Sequence, residues 1–257
     1  MYENLWLNGA LNPAWIVTQI GAGTVRESNG NLILRVAGGH SGYSNAQITD
    51  YAYERLNFRW QPPLKLTVTA WATGDPLGTA GFGFWNHPFS PDLKRMPSLP
   101  RAIWYFFGSP PNNMQLAHGV PGSGWKAATM DATRTSALML APFALPAVLM
   151  MRVPPLYARL WHVIQRRLHI SEKLLDPALL TARHTYTMDW RRDGATFGID
   201  GQTIHETPFA PRGRTGFVAW IDNQYAVVTP QGQFGFGIIP VERDQALILE
   251  DVTIENI

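Results

Sequence analysis

His184-Thr-Tyr-Thr-Met-Asp-Trp-Arg-Arg-Asp-Gly-Ala-Thr-Phe-Gly-Ile-Asp-Gly201, followed by Gln202-Thr-Ile-His205, decides the fold. Its first seven residues alternate in the period of a β-strand. The run Thr196 to Ile199, the pair Asp200-Gly201 and the run Gln202 to His205 read as a hairpin, because Asp-Gly accepts the positive φ angles of a type I′ turn. Similar runs recur along the chain. They are Asn31–Val36 after the turn Ser28-Asn29-Gly30, Leu64–Trp71 closed by Gly74-Asp75-Pro76, Thr79–Asn86, Ala102–Phe107, Gly216–Ala226, Gln233–Ile238 and Ala246–Ile254. Many short strands at near-regular spacing, without alternating helices, predict an all-β two-sheet antiparallel sandwich.

Composition agrees. The 257 residues include 10 Trp, 12 Phe, 8 Tyr, 23 Gly and 20 Pro, a mix of strand and turn formers. With no cysteine, disulfides and thiolate chemistry are excluded. The seven histidines are dispersed without metal-ligand spacing, so neither a metal nor any other cofactor is expected. A net charge of +2 with scattered basic residues gives nucleic-acid binding no support. The opening residues lack a basic stretch followed by an apolar run, so the expected location is cytoplasmic.

Residues 136–182 break the pattern. Ser136 to Met151 is apolar and uncharged, but Pro142 and Pro146 argue against a membrane span. Pro154-Pro155 opens a helix to Ile170 with Leu156, Leu160, Val163, Ile164 and Leu168 on one face and Arg159, His162, Arg166, Arg167 and His169 over much of the rest. Asp176-Pro177 announces a third short helix. The expectation is a single domain over 1–257 with a helical insertion at 136–182. The insertion serves either as an extra layer on the convex face, as a lid over the cleft, or as a surface touching a membrane peripherally through residues 137–168.

The hairpin resembles one found in glycoside hydrolase family 16 and the wider concanavalin A-like lectin and glucanase group. Gly81-Phe-Gly-Phe-Trp85 and Leu247–Ile254 resemble two further strands of that group. The resemblance implies a jelly roll and, on one strand, a Glu-x-Asp-x-x-Glu motif that supplies nucleophile and acid/base. Here the corresponding strand is Arg101-Ala-Ile-Trp-Tyr-Phe-Phe-Gly108, with Ala102, Trp104 and Phe107 in the three acid positions. It holds no Asp or Glu at all. Retaining hydrolysis needs two carboxylates about one bond, so the resemblance carries the fold and not the reaction.

An aromatic cleft in place of the acids leads to the expectation of an apolar or amphiphilic small-molecule ligand, such as a terpenoid, polyketide or lipid-like compound, under a helical lid. The alternatives are a carbohydrate enzyme or lectin-like glycan binder, and a membrane-associated module. Candidate ligand contacts are Trp85, Trp104, Tyr105, Phe107, His118, Trp125, Lys126, Trp220, Asn223 and Tyr225. Asp222, an acid amid apolar strand residues, and His87 are the candidates for acid/base chemistry. Asp222-Asn223 also reads as a turn, and Asp50 and Glu54 read as rim charges.

Overall fold

The computed structural model describes residues 2–74, 76–88, 96 and 98–257. Asp75 of the expected turn lies outside them. The strands are β1 Tyr2–Asn4, β2 Trp6–Leu7, β3 Ala10–Leu11, β4 Ile16–Ile20, β5 Gly23–Ser28, β6 Asn31–Val36, β7 Asn45–Thr49, β8 Leu64–Thr73, β9 Thr79–Trp85 and β10 Arg101–Gly108. They continue with β11 Asn113–Met114, β12 Gly124–Asp131, β13 Ser171–Leu174, β14 His184–Trp190, β15 Ala195–Ile199 and β16 Gln202–Thr207. The last four are β17 Gly216–Asp222, β18 Gln224–Val228, β19 Phe234–Ile238 and β20 Gln245–Asn256. The helices are α1 Thr135–Leu138, α2 Ala144–Met151, α3 Pro154–Arg167 and α4 Ala178–Thr181.

Two large antiparallel sheets form a jelly-roll sandwich. One runs β16-β15-β14-β8-β20-β6-β5, with β1 added against β20, and the other runs β13-β12-β10-β9-β17-β7-β4. Alternation fixes which side of each strand is buried. Leu64, Leu66, Val68, Ala70 and Ala72 of β8 point into the sandwich, as do Leu32, Leu34 and Val36 of β6. From the second sheet, Phe82, Phe84, Ile103, Tyr105, Trp125 and Phe217 meet them. Edge-to-face ring pairs cross the interior, Phe82 on Tyr186 at 5.2 Å and Tyr105 on Phe197 at 5.4 Å. Each such pair adds about 0.5–1.5 kcal/mol beyond its buried area.

The deciding hairpin forms as expected. Asp200 and Gly201 take φ of 49° and 79°, and Ile199 pairs with Gln202 across the turn. The Asp200 carboxylate also accepts the Thr185 N–H at 2.9 Å, tying the turn to β14.

The region 136–182 differs from a purely helical insertion. It holds α1 to α4 but also β13, which pairs with β12 from Lys126↔Leu174 to Thr129↔Ser171 and so adds an edge strand to the second sheet. Just ahead of α4, Asp176 Oδ1 accepts the Ala178 N–H at 2.9 Å. On α3 the buried side is Tyr157, Trp161, Ile164 and Leu168, whereas Val163 is exposed. The four-residue step from Tyr157 to Trp161 carries the stripe one position away from the expected Val163. This side packs on Leu116, Ala117, Val120 and Met130. Met130 pairs with Ala102 on the outer face of the seven-stranded sheet. Helices α2 and α3 therefore stand beside that face, whereas α4 packs against β8 and β14 of the eight-stranded sheet, with Leu180 in the main core.

Candidate functional site

On the seven-stranded sheet the outer face is built where β9, β10 and β17 run side by side. Trp104 pairs with Gly83, which pairs with Val218, and Phe106 pairs with Gly81, which pairs with Trp220. Glycines alternate on β9 because the β10 backbone comes too close on this face for a side chain. A Cβ on Gly83, whose φ is +148°, would come within 2.5 Å of Ile103 O and 2.6 Å of Trp104 Cα. The result is a cluster of rings. Trp104 stacks on Phe106 at 5.4 Å and lies 5.7 Å from Trp220 and 6.0 Å from Trp85. Phe106 and Trp220 are buried beneath, while Trp85 and Trp104 keep part of their faces open.

Polar groups anchor this floor. Trp85 Nε1–H donates to the Tyr51 hydroxyl at 2.6 Å, and Trp220 Nε1–H to Thr79 Oγ1 at 2.9 Å. The Thr79 hydroxyl in turn donates a hydrogen bond to Asp222 Oδ1 at 2.8 Å. Gln47 donates to the Tyr53 hydroxyl at 2.7 Å, and Tyr43 donates to Asp222 Oδ2 at 3.4 Å. Asp222 is only 3% exposed and also accepts backbone N–H groups of Thr79 and Gln224. Burial pushes its carboxyl up to about 6 against the pull of the Thr79 hydroxyl and these donors. Burial first, then the nearby Asp222 charge, drives the Tyr43 phenol up as well.

The expected site residues divide. Trp85, Trp104 and Trp220 come together on the outer face, with Asp222 at one end and His87 at the other. Tyr105, Phe107 and Trp125 instead face the sandwich interior. Trp125 is 0% exposed, and the Tyr105 hydroxyl donates to Gly198 O at 2.9 Å on the opposite sheet. The third ring beside Trp104 is Phe106, because β10 is paired without interruption on both sides and a regular strand returns to one face every second residue. Lys126 is buried under β11, where its ammonium meets Glu172 at 3.4 Å and Met114 O at 3.3 Å. Burial lowers the lysine and raises the glutamate.

Asn223 is fully buried and structural. It donates to Gly42 O and Ile239 O at 3.0 Å and accepts Ser44 N–H at 2.8 Å. It marks the break between β17 and β18, so the expected run Gly216–Ala226 is two strands. Tyr225 lies on β18 against Gly237. His118 is exposed and stacks on His162 of α3 at 5.3 Å, away from the rings. Asp50 is no rim charge. It is buried, ion-paired with Arg59 at 3.1 Å and bonded to Trp60 Nε1 and Phe217 N.

Asp222 and His87 cannot share one bond. Asp222 pairs with Thr79 and Gly216 with Trp85, so six residues of β9 separate the two ends. At about 3.3 Å per residue that is roughly 20 Å. His87 sits at φ 44° between the Tyr53 ring (4.5 Å) and the Trp85 ring (4.7 Å), with Nδ1 3.4 Å from the Tyr51 hydroxyl.

Tyr43, Gln47, Tyr51, Tyr53 and Thr79 were not among the expected site residues. The available signal was Asn45-Ala-Gln-Ile-Thr49, whose polar members alternate as on a half-polar strand. Among the described residues no group of three or more His, Asp or Glu side chains could hold a metal. Cavities of about 400 Å³ lie elsewhere, at an end of the sandwich lined by Arg59, Gln61, Pro62, Arg192, Arg212 and Arg214.

No family model matches the chain, and no curated protein is similar to it in sequence. Solved structures do share its fold. One is described as "Prominent members of the human gut microbiota express endo-acting O-glycanases to initiate mucin breakdown", with 11% identity, coverage of 100% of this chain and 98% of the other, and a TM-score of 0.52. A glycoside hydrolase family protein from Mycobacterium thermorestibile has 12% identity, coverage of 96% and 95%, and a TM-score of 0.51. The Crh5 transglycosylase in complex with NAG has 15% identity, coverage of 99% and 84%, and a TM-score of 0.50. The fold is thus that of the concanavalin A-like glycoside hydrolases and lectins. These neighbours correct the expectation of a terpenoid, polyketide or lipid-like ligand. They side with the carbohydrate alternative.

Proposed function

We propose that the chain binds carbohydrate on the outer face of the seven-stranded sheet, as a lectin-like module without retaining hydrolysis. The observation that carries this reading is the pair of part-open indoles, Trp85 and Trp104, 6.0 Å apart and backed by Phe106 and Trp220. A pyranose ring presents an apolar C–H face that packs on such a surface, while its hydroxyls need donors and acceptors at the margin. The half-buried Tyr43 and Tyr53 hydroxyls, held from beneath by Asp222 and Gln47, supply them. The glycan chemistry of proteins with the same fold supports the same class of ligand.

Hydrolysis of the retaining kind has less to stand on. It requires two carboxyl groups about 5–5.5 Å apart flanking one bond. Among the described residues, Glu172 is committed to Lys126. Asp222 lies beyond the rings at the end of β17.

A glycan array followed by calorimetry on the best ligand tests the proposal. Trp104→Ala should weaken binding at least tenfold, about 1.4 kcal/mol, with the unfolding midpoint little changed. An array without hits, or a lipophile retained on the purified protein in native mass spectrometry, would overturn it. Sugar release from a β-glucan that is abolished by Asp222→Asn would replace the binding role with a catalytic one.

A further inference from the structure

Between Asp131 and Glu172 the sequence contains no acidic residue, and its permanently charged groups are Arg134, Arg152, Arg159, Arg166 and Arg167. In the fold this basic segment carries large apolar side chains facing solvent. Leu138, Met139, Phe143, Leu145, Leu149, Met150 and Val153 are all exposed, Leu145 by 73%. Packing would ordinarily hide a stripe of this kind.

The apolar surface does not end with the helices. At the tip of the β18–β19 hairpin Gly232, at φ +81°, lets α2 come so close that a Cβ there would meet Val148 Cγ1 at 2.5 Å. Arg152 Nε donates to Gln231 O at 3.4 Å. Along β19 the sequence Phe234-Gly-Phe-Gly-Ile238 turns every second side chain outward, with Phe234 and Phe236 exposed by 75% and 78%. On the other side Gly237 makes room for the Tyr225 ring of β18, which a Cβ there would meet at 2.7 Å. Two unrelated parts of the sequence thus contribute to one apolar surface. The outward face of α3, with Arg159, Arg166 and Arg167, adjoins it through the packing of α2 on α3.

We infer that this surface docks in the plane of an anionic lipid bilayer, with Phe234, Phe236 and the α2 side chains entering the headgroup boundary and the α3 arginines meeting lipid phosphates and anionic headgroups. The charge pattern selects this occupant. A protein partner would need matching acids beside an apolar socket, whereas a bilayer offers both a uniform negative layer and an apolar interior. The mode is interfacial, since no helix among the described residues is long and apolar enough to cross.

Co-sedimentation of the whole chain with vesicles of phosphatidylcholine alone, or with 30% phosphatidylglycerol, tests the inference without reference to any glycan. The expected result is pelleting with the anionic vesicles, weakened by salt. Phe234→Ser with Phe236→Ser should abolish it, whereas Phe236→Leu should retain it. Arg159→Gln, Arg166→Gln and Arg167→Gln together should lower partitioning about 100-fold, roughly fivefold for each charge removed from an anionic surface. These side chains are exposed, so unchanged urea midpoints would show that the variants fold. Failure of the wild-type chain to pellet with anionic vesicles overturns the inference, and so does equal pelleting by all variants. A concentration-dependent dimer abolished by the phenylalanine changes, with no vesicle binding, would assign the surface to a second copy instead.

Discussion

Replacing Asp222 by asparagine should stabilise the protein at alkaline pH and do little at acid pH. Burial raises this carboxyl to about 6 in the fold, while an unfolded chain releases the same proton near 3.9. A folded value above the unfolded one means that the contribution to stability is fully present below about pH 4. It is lost as pH rises through about 6, because the unfolded state ionises more readily. The difference of about two units corresponds to about 3 kcal/mol at 1.36 kcal/mol per unit. Asparagine keeps an acceptor for Thr79 Oγ1, Thr79 N and Gln224 N but presents an amide to the Tyr43 hydroxyl, a rearrangement worth about 1 kcal/mol. The variant should therefore exceed wild type by about 2 kcal/mol at pH 8 and fall slightly below it at pH 4.

Urea unfolding of both proteins at several pH values measures this directly. Glu172 and Asp50, also raised by burial, titrate in both proteins and cancel in the difference. Parallel stability curves for the two proteins would refute the reasoning, as would a wild type that gains on the variant with rising pH.

Other consequences are open to simpler measurements. Lys126→Met alone should cost about 3–5 kcal/mol in urea unfolding, because Glu172 is left charged and buried, whereas Lys126→Met with Glu172→Leu should recover most of the loss. Gly83→Ala should destabilise by about 1–3 kcal/mol, since the strand would have to move away from Ile103 and Trp104. A cooperative unfolding curve with the wild-type midpoint would show that β9 is not held so closely.

The layout of the sandwich was legible wherever the signal was local. Asp200-Gly201 specifies its own turn, and Leu64–Trp71 alternates without ambiguity. The face of β10 was harder to read, since Trp104, Tyr105, Phe106 and Phe107 offer rings to both sides and hydrophobic periodicity vanishes. Trp125 and Lys126 looked like loop residues beside Gly122-Ser-Gly124, yet they directly follow Gly124, the first residue of β12, and belong to the strand. β13 escaped because Ser171-Glu-Lys-Leu174 is a short, charged edge strand with no alternation of its own. The polar margin of the site depends on partners far apart in sequence, as when Tyr43 meets Asp222 or Trp85 meets Tyr51. No local pattern encodes such pairs.

The position of β20 between β8 and β6 bears on synthesis. Thr73 must wait until Ala246, its partner across the ladder, has been made. At about 5–20 residues per second that interval is on the order of ten to thirty seconds. Until β14 is made both flanks of β8 are unpaired, and the flank that takes β20 stays so to the end, with the apolar residues of β8 and β6 still without their final neighbour. A chain emerging from the ribosome thus carries a half-built layer open to aggregation or to a holding chaperone, until a single late insertion closes it.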